Sequence, residues 1–117
     1  MIPPGLSRPV GAIWCIGRNY AEHAKELGNE VPAVPVVFLK PASALAVDGG
    51  ILRLPPDSRR VDHEVELVVA HGANPKMAVG IDYTARDIQD ELRKKGLPWT
   101  AAKARPAMVL PKIRTTC

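Results

Sequence analysis

Polar and apolar residues alternate most strictly in Val61-Asp62-His63-Glu64-Val65-Glu66-Leu67-Val68-Val69, and that period of two predicts a β-strand. Residues two apart on a strand share a face, so Glu64 and Glu66 project together. Val65, Leu67 and Val69 are then expected on the opposite, buried side. Apolar runs predict further strands at 10–16, closed by Gly17, at 36–39 between Pro35 and Pro41, and at 77–81, ending at Asp82. A shorter strand is expected at 51–54, between the turns Asp48-Gly49-Gly50 and Pro55-Pro56-Asp57. Two segments read as helices instead. Asn19 with Glu22 gives a capping signature for residues 20–27, and Gly28 a stop. Thr84 with Asp87 resembles the start of a second helix over 85–95, ended by Gly96. The expected fold class is α+β, rich in short strands.

Composition sharpens this picture in a few places. Twelve prolines in 117 residues favour strands and defined turns, because proline donates no backbone hydrogen bond. Two Trp, two Tyr and one Phe leave the core to Val, Leu, Ile and Ala. The net charge is +4, from 16 basic and 12 acidic residues, but no basic block is interleaved with aromatics, so no nucleic-acid partner is expected. Cys15 in an apolar run and Cys117 at the end suggest neither a disulfide framework nor a zinc site. No apolar run reaches membrane-spanning length, and Pro3-Pro4-Gly5 falls where a secretion signal needs an apolar helix. A cytoplasmic protein without a membrane partner is the expectation.

Glu64 and Glu66 raise an electrostatic question. Two carboxylates side by side repel unless something positive lies between them, and a hard divalent cation resolves this economically. Asp82, at a strand end before a helix, would complete a three-carboxylate set suited to Mg2+ or Mn2+. The same spacing also describes an ordinary surface strand with solvated acids, and Asp82 alone also reads as a turn residue. His23 and Glu26 lie three apart on the first predicted helix, where a carboxylate can orient an imidazole as a general base. A plain helix-surface ion pair fits that spacing equally. Lys40 and Lys103 each follow small or apolar residues and could bind a carboxylate or a developing enolate, though isolated lysines are commonly just solvated.

Five ordered blocks add a resemblance to these readings. They are Cys15-Ile16-Gly17-Arg18-Asn19-Tyr20-Ala21-Glu22-His23, Val36-Val37-Phe38-Leu39-Lys40-Pro41, His63-Glu64-Val65-Glu66-Leu67, Asp82-Tyr83-Thr84-Ala85-Arg86-Asp87-Ile88-Gln89-Asp90-Glu91, and Lys95-Gly96-Leu97-Pro98-Trp99-Thr100 with Lys103. In them the chain closely resembles the fumarylacetoacetate hydrolase family, in particular its short acylpyruvase and oxaloacetate-decarboxylase-like members. The resemblance implies a strand-rich, mixed β-roll of which this chain holds the N-terminal half with two short helices. It implies a partial catalytic domain over 1–104, followed by a divergent, basic, disordered tail over 105–117.

The site is implied residue by residue. Glu64, Glu66 and Asp82 correspond to the ligands of Mg2+ or Mn2+, and His23 and Glu26 to a water-activating pair. Lys103 corresponds to a catalytic group that, with Gln89, holds the 2-oxo acid head, and Lys40 and Arg18 to further substrate-binding groups. The implied activity is metal-dependent hydrolysis, or decarboxylation, of a small 2-oxo acid such as an acylpyruvate, by a homodimer. Two departures accompany the match. Gly72 to Met77 is shorter than in the family, and the pattern breaks after Lys103, so the chain looks internally shortened and truncated. That keeps a non-catalytic remnant pairing with another chain as an alternative. An isomerase or hydratase acting on a 2-oxo diacid is a second one.

Overall fold

The computed structural model describes residues 2–3, 5–17, 34–46 and 49–105. Within them β1 (Ala12–Gly17) pairs antiparallel with β2 (Val36–Pro41), and β3 (Val61–Ala70) pairs antiparallel with β4 (Lys76–Ala85). A 3-10 turn, Ala42–Ala44, follows β2; α1 (Arg86–Lys94) and the short α2 (Thr100–Lys103) follow β4. The α+β class is therefore observed, with the helix expected over 85–95 present as α1 and a second short helix, α2, where none was expected. The predicted helix over 20–27 and all but the first residue of the predicted tail lie outside the described residues.

The short connection over 71–75 makes β3 and β4 a hairpin. Its register sets Glu64 opposite Asp82, Val65 opposite Ile81 and Glu66 opposite Gly80. The strand does not end at Asp82 as its apolar run suggested; it continues to Ala85, because the ladder with β3 runs on through Asp62 and Thr84 to Val61 and Ala85. Helix α1 starts without a side-chain cap, so the expected Thr84–Asp87 signature is not formed. Asp87 instead accepts hydrogen bonds from the Ser58 hydroxyl at 2.6 Å and the Arg59 N–H at 2.8 Å, fastening the turn before β3 to the helix. The helix stops where predicted. Gly96 adopts φ 66°, and the N–H groups of Gly96 and Leu97 bond back to Arg93 and Leu92 at 3.1 and 2.9 Å, a glycine-closed helix end.

Two expectations about apolar positions are corrected. No strand forms at 51–54: Ile51 and Leu54 are exposed, and the following prolines offer no N–H for a ladder. Val65, Leu67 and Val69 do face away from the glutamates, but that side is open, with Leu67 exposed at 65%. No second layer among the described residues covers this face. What the fold buries is unusual in kind. Among the described residues the buried apolar side chains are small, Ala44, Ala46, Ala85, Ala102 and Pro3, and buried with them are Lys40, Asp82, Thr84, Gln89 and Lys103.

One aromatic contact ties the two strand pairs together through α2. Trp99, just before that helix, packs on Phe38 of β2 with ring centroids 5.6 Å apart and planes tilted by 57°. Gly17 makes room for it, since a Cβ there would sit 3.1 Å from the indole ring. Lys103 is thereby carried over the Phe38 ring, its ammonium 4.9 Å from the centroid.

Candidate metal and substrate site

Strand alternation and hairpin register place Glu64, Glu66 and Asp82 on one face of β3–β4. One carboxylate oxygen from each lies within 4.8 Å of the others. Asp82 is buried and the two glutamates half-buried. The connection over 71–75 thus leaves Asp82 within reach of a shared ion.

Basic side chains close in on this cluster from other elements. Lys103 Nζ donates to Glu64 Oε2 and Asp82 Oδ2, both at 2.8 Å, and to Thr84 Oγ1 at 2.7 Å. Lys40, fully buried, sits 2.6 Å from Asp82 Oδ1 and donates to the backbone carbonyls of Lys103 at 2.5 Å and Tyr83 at 3.2 Å. Arg86 bonds Glu64 Oε1 through one guanidinium nitrogen, Asp62 at 3.0 Å through a second, and Gln89 Oε1 at 2.5 Å through the third. Gln89, buried on α1, is engaged by Arg86 on its oxygen.

The charges respond to these neighbours. Burial pushes the Glu64 carboxyl up, but the hydrogen bonds from Lys103 and Arg86 outweigh it and hold the group below its ordinary range. Glu66 is pushed up, first by burial and then by the charges of Glu64 and Asp82. Among the described residues no hydrogen bond or ion pair reaches it. Burial lowers the Lys40 ammonium, with Asp82 opposing the shift. Cys15, half-buried on the inward side of β1, is pushed up to about 11 by burial and by Asp82, so its thiol stays protonated.

The donor set fits a hard divalent cation. Three carboxylates supply oxygen ligands only, Glu66 lacks a cationic contact among the described residues, and the buried Asp82 Oδ1 meets Lys40 as an ion pair outside hydrogen-bonding geometry. Lys40, Gln89 and Lys103 all lie at or beside this cluster. Arg18, His23 and Glu26 lie outside the described residues. Sequence reading missed Arg86 and Thr84 as members of the cluster. Thr84 was legible, since it stands two residues from Asp82 on the same strand face; Arg86 carried no local signal.

The pattern of the fumarylacetoacetate (FAA) hydrolase C-terminal family matches residues 12–113. The chain belongs to the fumarylacetoacetate hydrolase family. The mitochondrial oxaloacetate tautomerase of Bos taurus is 41% identical over 118 aligned positions, covering 84% of this chain and 53% of that protein. An uncharacterized protein of Pyrococcus abyssi is 47% identical over 109 positions, covering 82% and 48%. The chain spans about half the length of these curated relatives. Among solved family structures, fumarylpyruvate hydrolase from Pseudomonas aeruginosa, determined with Mn2+ and pyruvate, superposes with a TM-score of 0.79 at 33% identity, covering 94% of this chain and 56% of its own. The 5-carboxymethyl-2-hydroxymuconate delta-isomerase of Mycobacterium smegmatis gives 0.73 at 31%, covering 93% and 48%. Among the described residues no helix is long and apolar enough to cross a membrane.

Proposed function

We propose that this chain carries the metal-holding part of a fumarylacetoacetate-hydrolase-type site. Its reaction is hydrolysis of a carbon–carbon bond in, or decarboxylation of, a small 2-oxo acid such as an acylpyruvate. The convergence of Glu64, Glu66 and Asp82 from two strands, beside two buried lysines, carries this reading. The family relative solved with Mn2+ and pyruvate supports both the metal and the class of acid. Bound Mg2+ or Mn2+ would supply Lewis-acid polarisation of the ketone oxygen.

The chain's own groups then have distinct tasks. Glu64, Glu66 and Asp82 hold the ion, and Lys40 anchors Asp82 from behind. Lys103 and Gln89 orient the acid head of the substrate, with Arg18 as a further contact. His23 takes a proton from water while Glu26 fixes its imidazole. Further strands would extend the two strand pairs into the family's mixed roll. A second reading, isomerisation of a 2-oxo diacid, is favoured by the relatives named as a tautomerase and an isomerase. It needs the same metal and acid-head groups but no water-activating pair.

Glu64→Gln is expected to abolish Mg2+ and Mn2+ binding in calorimetry, and unchanged affinity would contradict the metal assignment. His23→Ala is expected to keep metal binding and lose acylpyruvate hydrolysis. If it also keeps oxaloacetate tautomerisation, the isomerase reading gains; undiminished hydrolysis removes His23 from its role.

A further inference from the structure

We propose that Lys103 is the internal counter-ion of the carboxylate cluster and must leave it for a divalent cation to enter, so that its displacement limits metal affinity. This rests on the metal reading above. The reason is an accounting of oxygens. Glu64 Oε1 is held by Arg86 and its Oε2 by Lys103; Asp82 Oδ1 faces Lys40 and its Oδ2 Lys103. Only Glu66 has both oxygens without a cation in contact among the described residues. A hard divalent ion approaches carboxylate oxygens to about 2.0–2.6 Å, closer than an ammonium does. An ion drawing one oxygen from each residue therefore meets at least one of the three cations at short range, where like charges repel strongly.

Lys103 is the cation that gives way. Arg86 is fixed independently by Asp62 and Gln89. Lys40 is fixed by two backbone carbonyls. Among the described residues Lys103 alone bridges two of the three carboxylates, so it stands nearest to where a shared ion would sit. Its remaining contacts are with uncharged groups, the Thr84 hydroxyl at 2.7 Å and the Phe38 ring, and its flexible stem rides on a four-residue helix. Charge balance points the same way. Three carboxylates against Lys40, Lys103 and Arg86 sum to zero, so a dication adds an excess that an anionic ligand would have to match.

The test is calorimetric titration of Mn2+ into the wild-type chain, Lys103→Met and the surface control Lys94→Met. Lys103→Met is expected to bind on the order of tenfold more tightly, within the usual range of coupling between ligands. It should also show a larger rise in melting temperature with saturating Mn2+. Pyruvate should strengthen Mn2+ binding in the wild type and do so less in the variant. A Lys103→Met chain that folds only with Mn2+ present would support the displacement as well, and Lys103→Gln provides the affinity comparison in that case. Wild-type binding with equal or weaker binding by the Lys103 variants would overturn the inference and leave the metal reading standing. No Mn2+ binding by any of these proteins would overturn both.

Discussion

The two faces of the β3–β4 hairpin invert the usual arrangement of a half-buried sheet. Its inner face carries Glu64, Glu66, Asp82 and Thr84 against buried lysines, whereas its outer face presents Val65, Leu67, Val69, Met77 and Val79 to the surroundings. Apolar alternation normally marks the core side. Here charge lies inside because each buried carboxylate oxygen of Asp82 meets an ammonium, and the outer side chains lack a covering layer among the described residues. The lesson is that period-two patterning separates two faces without saying which one is buried. Interior ionisable groups held by specific partners, beside an apolar surface that contributes little burial, indicate that chemistry rather than packing sets the design of this hairpin.

Substitutions on each face can break or sharpen this contrast. The largest effect is expected from Asp82→Ala, which leaves Lys40 and Lys103 buried without their shared partner. Stability in urea unfolding should fall by about 3–5 kcal/mol. A loss below about 1 kcal/mol, the size of an exposed pair, would show that the inner charges are effectively solvated.

Glu66→Gln should act in the other direction. The Glu66 carboxyl is raised above its ordinary 4.5 by burial and by its acidic neighbours, so the folded state binds its proton more tightly than the unfolded one. Stability then falls as pH rises from about that value upward. The variant should gain about 0.2–1 kcal/mol at neutral pH, the scale of a like-charge pair on a sheet. The gain should close as pH falls through 4.5, and a gain that persists in acid would assign it to another cause.

The smallest change is expected outside. Leu67→Thr with Val79→Thr alters a directly opposed outer pair. It should shift stability by no more than about 0.5 kcal/mol. Sedimentation should show less self-association, and a large loss of stability would mean that this face is covered.

Several of the elements that carry the cluster are legible in the sequence. The alternation around Glu64 and Glu66, the apolar strand leading to Asp82, and the glycine that ends α1 were all local signals, and all three appear in the structure. Errors came where a local cue competed with a distant partner. Thr84 resembled a helix cap but is drawn into the hairpin, where its hydroxyl accepts a bond from Lys103, nineteen residues on. Ile51 to Leu54 had strand composition but found no strand to pair with among the described residues.

From the chain of residues alone came the grouping along each strand, which side chains share a face and that Glu64 stands beside Glu66; Asp82 joins them only through the hairpin register. Periodicity is a property of neighbouring backbone units, so it is written locally. The tertiary structure decided that the charged face is the interior one and that Lys40, Lys103 and Arg86 neutralise it. Those choices depend on bringing β2, α1 and α2 against β4 across long stretches of chain, and no spacing within a single segment encodes such an encounter.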